Sequence, residues 1–261
     1  MAIERIVPDT KAWNAYYANH ICRYRFAVEK LSVAGSRKIL DAACGVGYGS
    51  AYLADFIPGS SITAIDRSES ALQIARQSFA KTAVSYLTDD CLTFTHTASK
   101  GPFDAVVSFE TLEHLPDPVK FLQNCREHLR EKGLLIISTP NQLVSSPGND
   151  LNWEFHEKEY TPEEFMELLE ESGFRNIRLY GQQLNLKGKI KDEIRSDLNR
   201  LWSNPFVRLG RWIQAVFRGQ RFDFPLNESI DDFEIPCYGH PSDISKLERE
   251  GPFVLIAVAE K

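Results

Sequence analysis

Apolar and polar positions along this chain follow two alternating patterns. Short runs dense in aliphatic and β-branched residues recur at 37–43 (RKILDAA), 61–66 (SITAID), 84–88 (VSYLT), 103–109 (FDAVVSF) and 133–139 (GLLIIST), with longer amphipathic stretches between them. Apolar runs of this length suit strands buried on both faces, and the stretches between suit crossover helices. The chain therefore predicts βαβ units on a mainly parallel sheet. A first helix is expected over about 10–32. A helix over 117–131 opens with Asp117-Pro118, an N-cap followed by a first-turn proline, and stops at Gly133. Another over 161–172 opens with Thr161-Pro162-Glu163-Glu164, a capping box with proline in its first turn, and stops at Gly173. Two further strands are predicted at 174–182 (FRNIRLYGQ) and 252–260 (PFVLIAVAE).

Between those last strands lie about 70 residues, 183–251, where a hairpin needs only two to five. The segment is an insertion with structure of its own. From Lys187 to Arg221 it carries nine Lys and Arg against three acids. Leu198, Leu201, Trp202, Phe206, Leu209, Trp212, Ile213, Val216 and Phe217 fall there at roughly helical spacing, and the stretch from Asp223 to Glu234 is acidic. Three functional readings compete: a lid over an acceptor, a basic Trp-bearing surface on an anionic membrane through 187–221, and an oligomer interface. Amphipathic helices packed on the core with solvated arginines would account for the same pattern without a ligand. The expected organisation is an N-terminal helical cap over 1–35, a core over 36–182 and 252–261, and an acceptor-binding insertion over 183–251.

A chain of 261 residues, 43% hydrophobic, buries a sizeable core without covalent staples. Its five cysteines form no CxxC pair, which argues against a disulfide framework or zinc knuckle and for a reducing compartment. The longest apolar run, Phe253 to Ala259, is too short to cross a bilayer. The opening MAIERIVPDTKAWN lacks the apolar centre of a secretory signal, so a cytoplasmic location is expected. A net charge of −6 argues against a general nucleic-acid binder.

The first candidate chemistry follows the first strand. In ILDAACGVGYGS (39–50), Asp41 is followed by Gly45, Gly47 and Gly49. Glycines there let the backbone turn tightly and approach a ligand at the start of a helix. The GxGxG spacing does not meet the GxGxxG fingerprint of NAD-binding folds. The second strand ends in Asp66, an acid placed to accept from ribose hydroxyls, and the third is followed by Asp89-Asp90-Cys91, a setting for an adenine ring. Three acids after three successive strands share the carboxyl edge of a parallel sheet, where open α/β sheets bind ligands. Each acid alone would serve equally well as a helix N-cap.

Together these motifs resemble a class I S-adenosylmethionine (SAM) dependent methyltransferase. ILDAACGVGYG matches the first motif, with Ala43 where many members have glycine. Asp66 matches the ribose acid, Asp90-Cys91 the adenine site, and FDAVVSFETLEHL (103–115) and GLLIISTPN (133–141) the later motifs. The resemblance covers about 20–182 and the last strand. It implies a Rossmann-like α/β fold: a seven-stranded sheet ordered 3-2-1-4-5-7-6, last strand antiparallel, helices on both faces and a helical insertion between the last two strands. It also implies SAM as cofactor, held by Asp41, Ala43, Gly45, Gly47, Asp66, Asp90, Cys91 and Phe109. In resembling enzymes an N-terminal helix lies over the cofactor. Tyr16, Tyr17, His20, Arg23 and Tyr24 fall partly on one face of that helix here, with Tyr24 or Arg23 placed to meet the cofactor carboxylate; simple packing on the sheet is the alternative.

The fourth strand runs into Glu110-x-x-Glu113-His114. On a helix these three share a face, and two carboxylates beside an imidazole call for a positive charge between them. A divalent metal, Mg or Mn, is the candidate, and His156 is the fourth ligand because the loops after strands four and five face each other in this topology. Glu110, Glu113, His114 and His156 are similar to the metal site of the small-RNA 3′-end 2′-O-methyltransferases, in which Mg²⁺ grips the vicinal hydroxyls of a terminal ribose. Bacterial methyltransferases of polysaccharide and natural-product pathways look alike here, and a sugar offers the same diol. Two other readings stay open: catalysis by Glu113, His114 and His156 with His114 as a metal-free base, and purely structural roles. The expectation is a SAM-dependent O-methyltransferase acting on a hydroxyl of a glycan, lipid-linked saccharide or glycosylated metabolite. The alternatives are an RNA 3′-terminal 2′-O-methyltransferase, a phenol or amine methyltransferase, and a catalytically silent SAM-binding partner protein.

Overall fold

The structure is a computed structural model that describes residues 7–148, 155–203 and 229–261. Helix α1 (Lys11–Ala34) starts at Thr10, whose side chain accepts from the Trp13 N–H, and ends on Gly35 in the left-handed region. There follow β1 (Lys38–Ala42), α2 (Tyr48–Phe56), β2 (Ser61–Asp66), α3 (Glu69–Ser78), β3 (Val84–Thr88), β4 (Phe103–Phe109), α4 (Pro118–His128), β5 (Leu129–Pro140), α5 (Gln142–Ser145) and α6 (Pro162–Glu171). The chain continues through β6 (Arg175–Leu184), α7 (Leu186–Ser203), β7 (Phe233–Glu234), β8 (Cys237–Tyr238), α8 (Pro241–Ser245) and β9 (Val254–Glu260).

The sheet runs β3-β2-β1-β4-β5-β9-β6-β7, with β8 also paired to β6. Strands β1 to β5 pair parallel with one another, and β9 lies antiparallel between β5 and β6. The seven-stranded order expected from the sequence is corrected to nine strands. The two additions, β7 and β8, are two-residue strands from the segment read as an insertion, and they pair with β6 at the sheet edge.

Both faces of the sheet are buried, as a parallel sheet requires. Successive residues point to opposite sides. Leu40, Val106, Ile137 and Leu255 pack with Phe121 of α4 and Phe165 of α6. Their neighbours Ile39, Val107, Ile136 and Ile256 pack with Ile21 and Leu31 of α1 and Leu53 of α2.

The helix expected to stop at Gly133 ends at His128, and β5 begins at once. Between the pairs Phe103–Leu129 and Ala105–Leu134 the register shifts, so residues 130–133 bulge out of the ladder. Gly133 is the tight point of that bulge, since a Cβ there would stand 2.8 Å from the Arg130 carbonyl oxygen.

The segment 183–251 is tied to the core where it is described. Lys187 and Lys191 of α7 lie 3.4 and 2.6 Å from the carboxylate of buried Asp232. Arg25 of α1 reaches Asp231 at 3.1 Å, and Ser245 of α8 donates to Glu163 of α6 at 2.7 Å. Leu198, Leu201 and Trp202 fall on α7. Phe206, Leu209, Trp212, Ile213, Val216, Phe217 and the cations from Arg208 to Arg221 lie outside the described residues, as does the acidic run from Asp223 to Glu228. Among the described residues no helix is long and apolar enough to cross a membrane.

Candidate active site

A cleft of about 800 Å³ opens at the carboxyl ends of β1 to β5, under the first half of α1. Tyr24, Ala43, Gly45, Asp66, Asp90, Cys91 and Phe109 line it, as do Glu110, Glu113, His114 and His156. The two remaining residues assigned to the cofactor, Asp41 and Gly47, sit behind this wall and shape it.

The glycine loop explains the difference. Ala43, Gly45 and Gly47 all have positive φ, at 63°, 57° and 85°. A methyl group on Gly45 would meet open space, so this glycine keeps the floor of the cleft low for a ligand. A methyl group on Gly47 would stand 2.6 Å from the Ala75 Cβ and 2.8 Å from the Tyr86 ring. Gly47 therefore serves the packing of α2 against α3 and β3. Ala43 adopts a conformation that costs an L-residue about 1–2 kcal/mol, so its replacement of glycine is a strained position of the loop.

The acids divide in the same way. Asp66 accepts from the Gly45 N–H at 2.9 Å and the Ser68 N–H at 2.8 Å, fixing the loop while facing the cleft. Asp41 is fully buried and accepts from Ser50 Oγ at 2.6 Å and Tyr24 Oη at 3.3 Å. Burial pushes its carboxyl up to about 7, against the two hydrogen bonds that favour the ionised form. Asp89 is buried too, but it accepts from the backbone N–H groups of Asp90, His96 and Thr97 and from Thr97 Oγ1. These bonds outweigh burial and hold its carboxyl below the ordinary carboxylate range. Asp89 builds the loop, and Asp90 faces the cleft.

Glu110 and Glu113, after β4, do not share one α-helical face. Glu110 takes a positive φ of 53°, and only Leu112–His114 form a single 3₁₀ turn. Glu110 is thereby turned aside. Its carboxylate accepts from Ser138 Oγ at 2.8 Å and stands 4.0 Å from the Arg23 guanidinium. Arg23 is itself buried in α1, donating to Asn19 and to Gln182 of β6 at 2.9 and 2.8 Å.

Glu113, His114 and His156 do converge: one potential ligand atom from each lies within 4.8 Å of the others, and the two imidazoles meet edge to face at 4.9 Å. Glu113 is 1% exposed. Its Oε2 accepts from Thr139 Oγ1 at 3.2 Å, while Oε1 is buried without a hydrogen bond, 3.8 Å from His114 Nε2. Burial, reinforced by the Glu110 charge, raises its carboxyl well above the usual range. His114 Nδ1 lies 2.8 Å from the Phe155 carbonyl oxygen, and His156 Nδ1 lies 2.7 Å from Glu159 Oε1. Both acceptors require a proton on Nδ1, which in a neutral ring leaves the lone pair on Nε2.

This donor set fits a divalent cation. A buried carboxylate oxygen lacks a partner, and each histidine has its second nitrogen tied to a carbonyl or carboxylate, as metal-bound histidines do. The set is Glu113, His114 and His156; Glu110, expected as a fourth ligand, is directed to Ser138 and Arg23.

Several participants lay outside the sequence reading. Glu159 is the most direct: 3% exposed, with its carboxyl held below the ordinary range because the bonds from His156 and Ser145 outweigh burial. Its signal was present as His156-x-x-Glu159 (HEKE), three residues apart. Thr139 and Gln182 carried no local signal, because their partners are distant in sequence. His20, already placed on the N-terminal helix face by the sequence, lines the cleft and pairs with Tyr48 Oη at 3.1 Å, and burial followed by the Arg23 charge holds it neutral, well below its usual range.

A family described as a methyltransferase domain matches residues 16–179. A protein of Mycobacterium tuberculosis named a probable S-adenosylmethionine-dependent methyltransferase is 31% identical over 179 residues, which are 68% of this chain and 62% of that relative. A ubiquinone biosynthesis O-methyltransferase of Haemophilus ducreyi is 32% identical over 129 residues, covering 48% of this chain and 54% of the relative. The chain thus spans less than two thirds of the length of either relative. A solved SAM-dependent methyltransferase from Archaeoglobus fulgidus shares the fold, with a TM-score of 0.54, 18% identity, and coverage of 94% of this chain and all of that one.

Proposed function

We propose that this chain, which belongs to the methyltransferase-domain family matched over residues 16–179, is a SAM-dependent O-methyltransferase. Its acceptor is a hydroxyl of a sugar-containing molecule: a glycan, a lipid-linked saccharide or a glycosylated metabolite. A divalent metal, Mg or Mn, assists from Glu113, His114 and His156. The observation that carries this reading is the convergence of those three side chains in the same cleft as the glycine loop.

The donor side is supported by the open floor over Gly45 and by Asp66 and Asp90 on the cleft wall. Asp66 is fixed by the Gly45 and Ser68 N–H groups and lines the cleft where a ribose hydroxyl would bind. SAM supplies an already activated methyl group when bound, so the chain's task is to align the nucleophile, exclude water and manage one proton. Tyr24 and Phe109, in edge contact at 4.9 Å, wall the cleft with aromatic surface.

On the acceptor side, a divalent cation when bound lowers the pKa of a coordinated hydroxyl and orients it. Glu113, His114 and His156 would hold that ion through the carboxylate and the two Nε2 lone pairs, and a hydroxyl acidified in this way needs no strong protein base. A cis diol presents two oxygens to such a site, which favours sugars. The name of the Haemophilus relative supports methylation at oxygen. The net charge of −6 weighs against an RNA end. Contact with an anionic membrane through 187–221 is weakened by the pairing of Lys187 and Lys191 with Asp232 inside the molecule.

The test uses tritiated SAM with nucleotide sugars, lipid-linked saccharides and glycosylated metabolites as acceptors. Glu113→Gln, His114→Ala and His156→Ala should each lower transfer by roughly 10²–10⁴-fold, with S-adenosylhomocysteine affinity retained. Full activity in Glu113→Gln and His114→Ala would overturn the reading.

A further inference from the structure

His156 enters the cleft on a segment held from three sides. The Glu113 carbonyl oxygen accepts from the Glu157 N–H at 2.6 Å and the Lys158 N–H at 3.3 Å. The Tyr160 carbonyl oxygen accepts from the Gln142 N–H at 3.0 Å, joining the segment to the end of β5. Between these anchors stands Glu159, buried at 3% exposure. One of its oxygens receives His156 Nδ1 at 2.7 Å, and the other receives Ser145 Oγ of α5. A carboxylate in so dry a place is unfavourable unless its bonds compensate, and here both oxygens are spent on fixing the loop that carries His156.

We infer that Glu159 is a positioning residue: it locks His156 in the Nδ1–H tautomer and aims Nε2 at Glu113 and His114, so that the three ligands are set before the metal arrives. The inference rests on the metal reading proposed above and deepens it. Ser145 extends the arrangement. Through Glu159 the short helix after β5 and the His156 segment move as one piece, so the end of β5, which supplies Thr139 to Glu113, and the His156 loop share a single support. His114 obtains the same fixation from the Phe155 carbonyl, one residue before His156. The three ligand side chains therefore depend on one stretch, 155–160, and Glu159 is the charged residue within it that touches no other ligand.

Two readouts on the full chain test this. The first is the tautomer of His156 by ¹⁵N-edited NMR of the imidazoles, assigned through the signal lost in His156→Ala. The second is Mn²⁺ binding by calorimetry, with S-adenosylhomocysteine present to confirm an intact fold. Wild type should show the proton on Nδ1. Glu159→Ala should mix the tautomers and weaken Mn²⁺ binding by roughly 10–100-fold. Glu159→Gln keeps an acceptor for Nδ1–H without the charge, so it should restore the tautomer and leave only a several-fold deficit. If Glu159→Ala fails to fold, the Gln variant decides through that deficit. An Nε2–H tautomer in wild type, or Mn²⁺ binding unchanged in the folded variants, overturns the inference. Absence of Mn²⁺ binding in wild type would instead overturn the metal reading, and the tautomer comparison would still decide the role of Glu159.

Discussion

At Asp41, burial holds the carboxyl up to about 7 from a normal 3.8. In the unfolded chain the group loses its proton near pH 4, while in the folded protein it keeps it to about pH 7. Between those values the folded state binds the extra proton, so stability falls as pH rises. Measured without SAM, wild type should lose up to about 4 kcal/mol relative to Asp41→Asn between pH 4 and pH 8, and urea melts of the pair across that range measure it. A difference independent of pH would refute the assignment. The glycine loop gives a second contrast. Gly47→Ala should lower the melting temperature through its clash with Ala75 and Tyr86, whereas Gly45→Ala should chiefly weaken S-adenosylhomocysteine binding. Ala43→Gly should add about 1 kcal/mol of stability by relieving a positive φ. Sequence pattern found all three positions but not their division of labour, because glycine spacing is the same whether the missing side chain makes room for a ligand or for a neighbouring helix.

Among the elements, α7 is fastened by a buried charge. Asp232 is fully buried and receives Lys191 at 2.6 Å and Lys187 at 3.4 Å. Burial alone would raise its carboxyl, but the lysines and the Ser229 N–H hold it below the normal range. Asp232→Ala should release this latch, seen as faster hydrogen exchange across 186–203; protection equal to wild type there would show that α7 is held otherwise. The main strands were legible because each is five or more residues long with apolar residues in runs or in alternation, and the caps at Asp117 and Thr161 appear as expected. The strands β7 and β8 are two residues long, too short for any periodicity, and form only because β6 offers an edge. The bulge at 130–133 hid behind Gly133, since glycine ends a helix or relieves a bulge equally well. The Glu110 turn had no signal at all: nothing local in FETLEH marks a glutamate with positive φ, and the Ser138 and Arg23 contacts that stabilise it come from other elements.

On the scale of the whole molecule, the sheet gathers the ends of its parallel strands around one cleft, with the glycine loop, Asp66 and Asp90 at one end and Glu113, His114 and His156 at the other. The convergence of the last three was visible in sequence only through a resemblance, since His156 is some forty residues from His114 and only the pairing of β4 with β5 brings their loops together. The acceptor is set by surfaces the core motifs do not encode, and local sequence is silent about it. The most direct test of the account is a calorimetric titration of Mg²⁺ and Mn²⁺ into the protein saturated with S-adenosylhomocysteine, beside His156→Ala. The account predicts one ion bound per chain in the wild-type protein and none in the variant. Binding absent from both proteins, or equal in both, would contradict it.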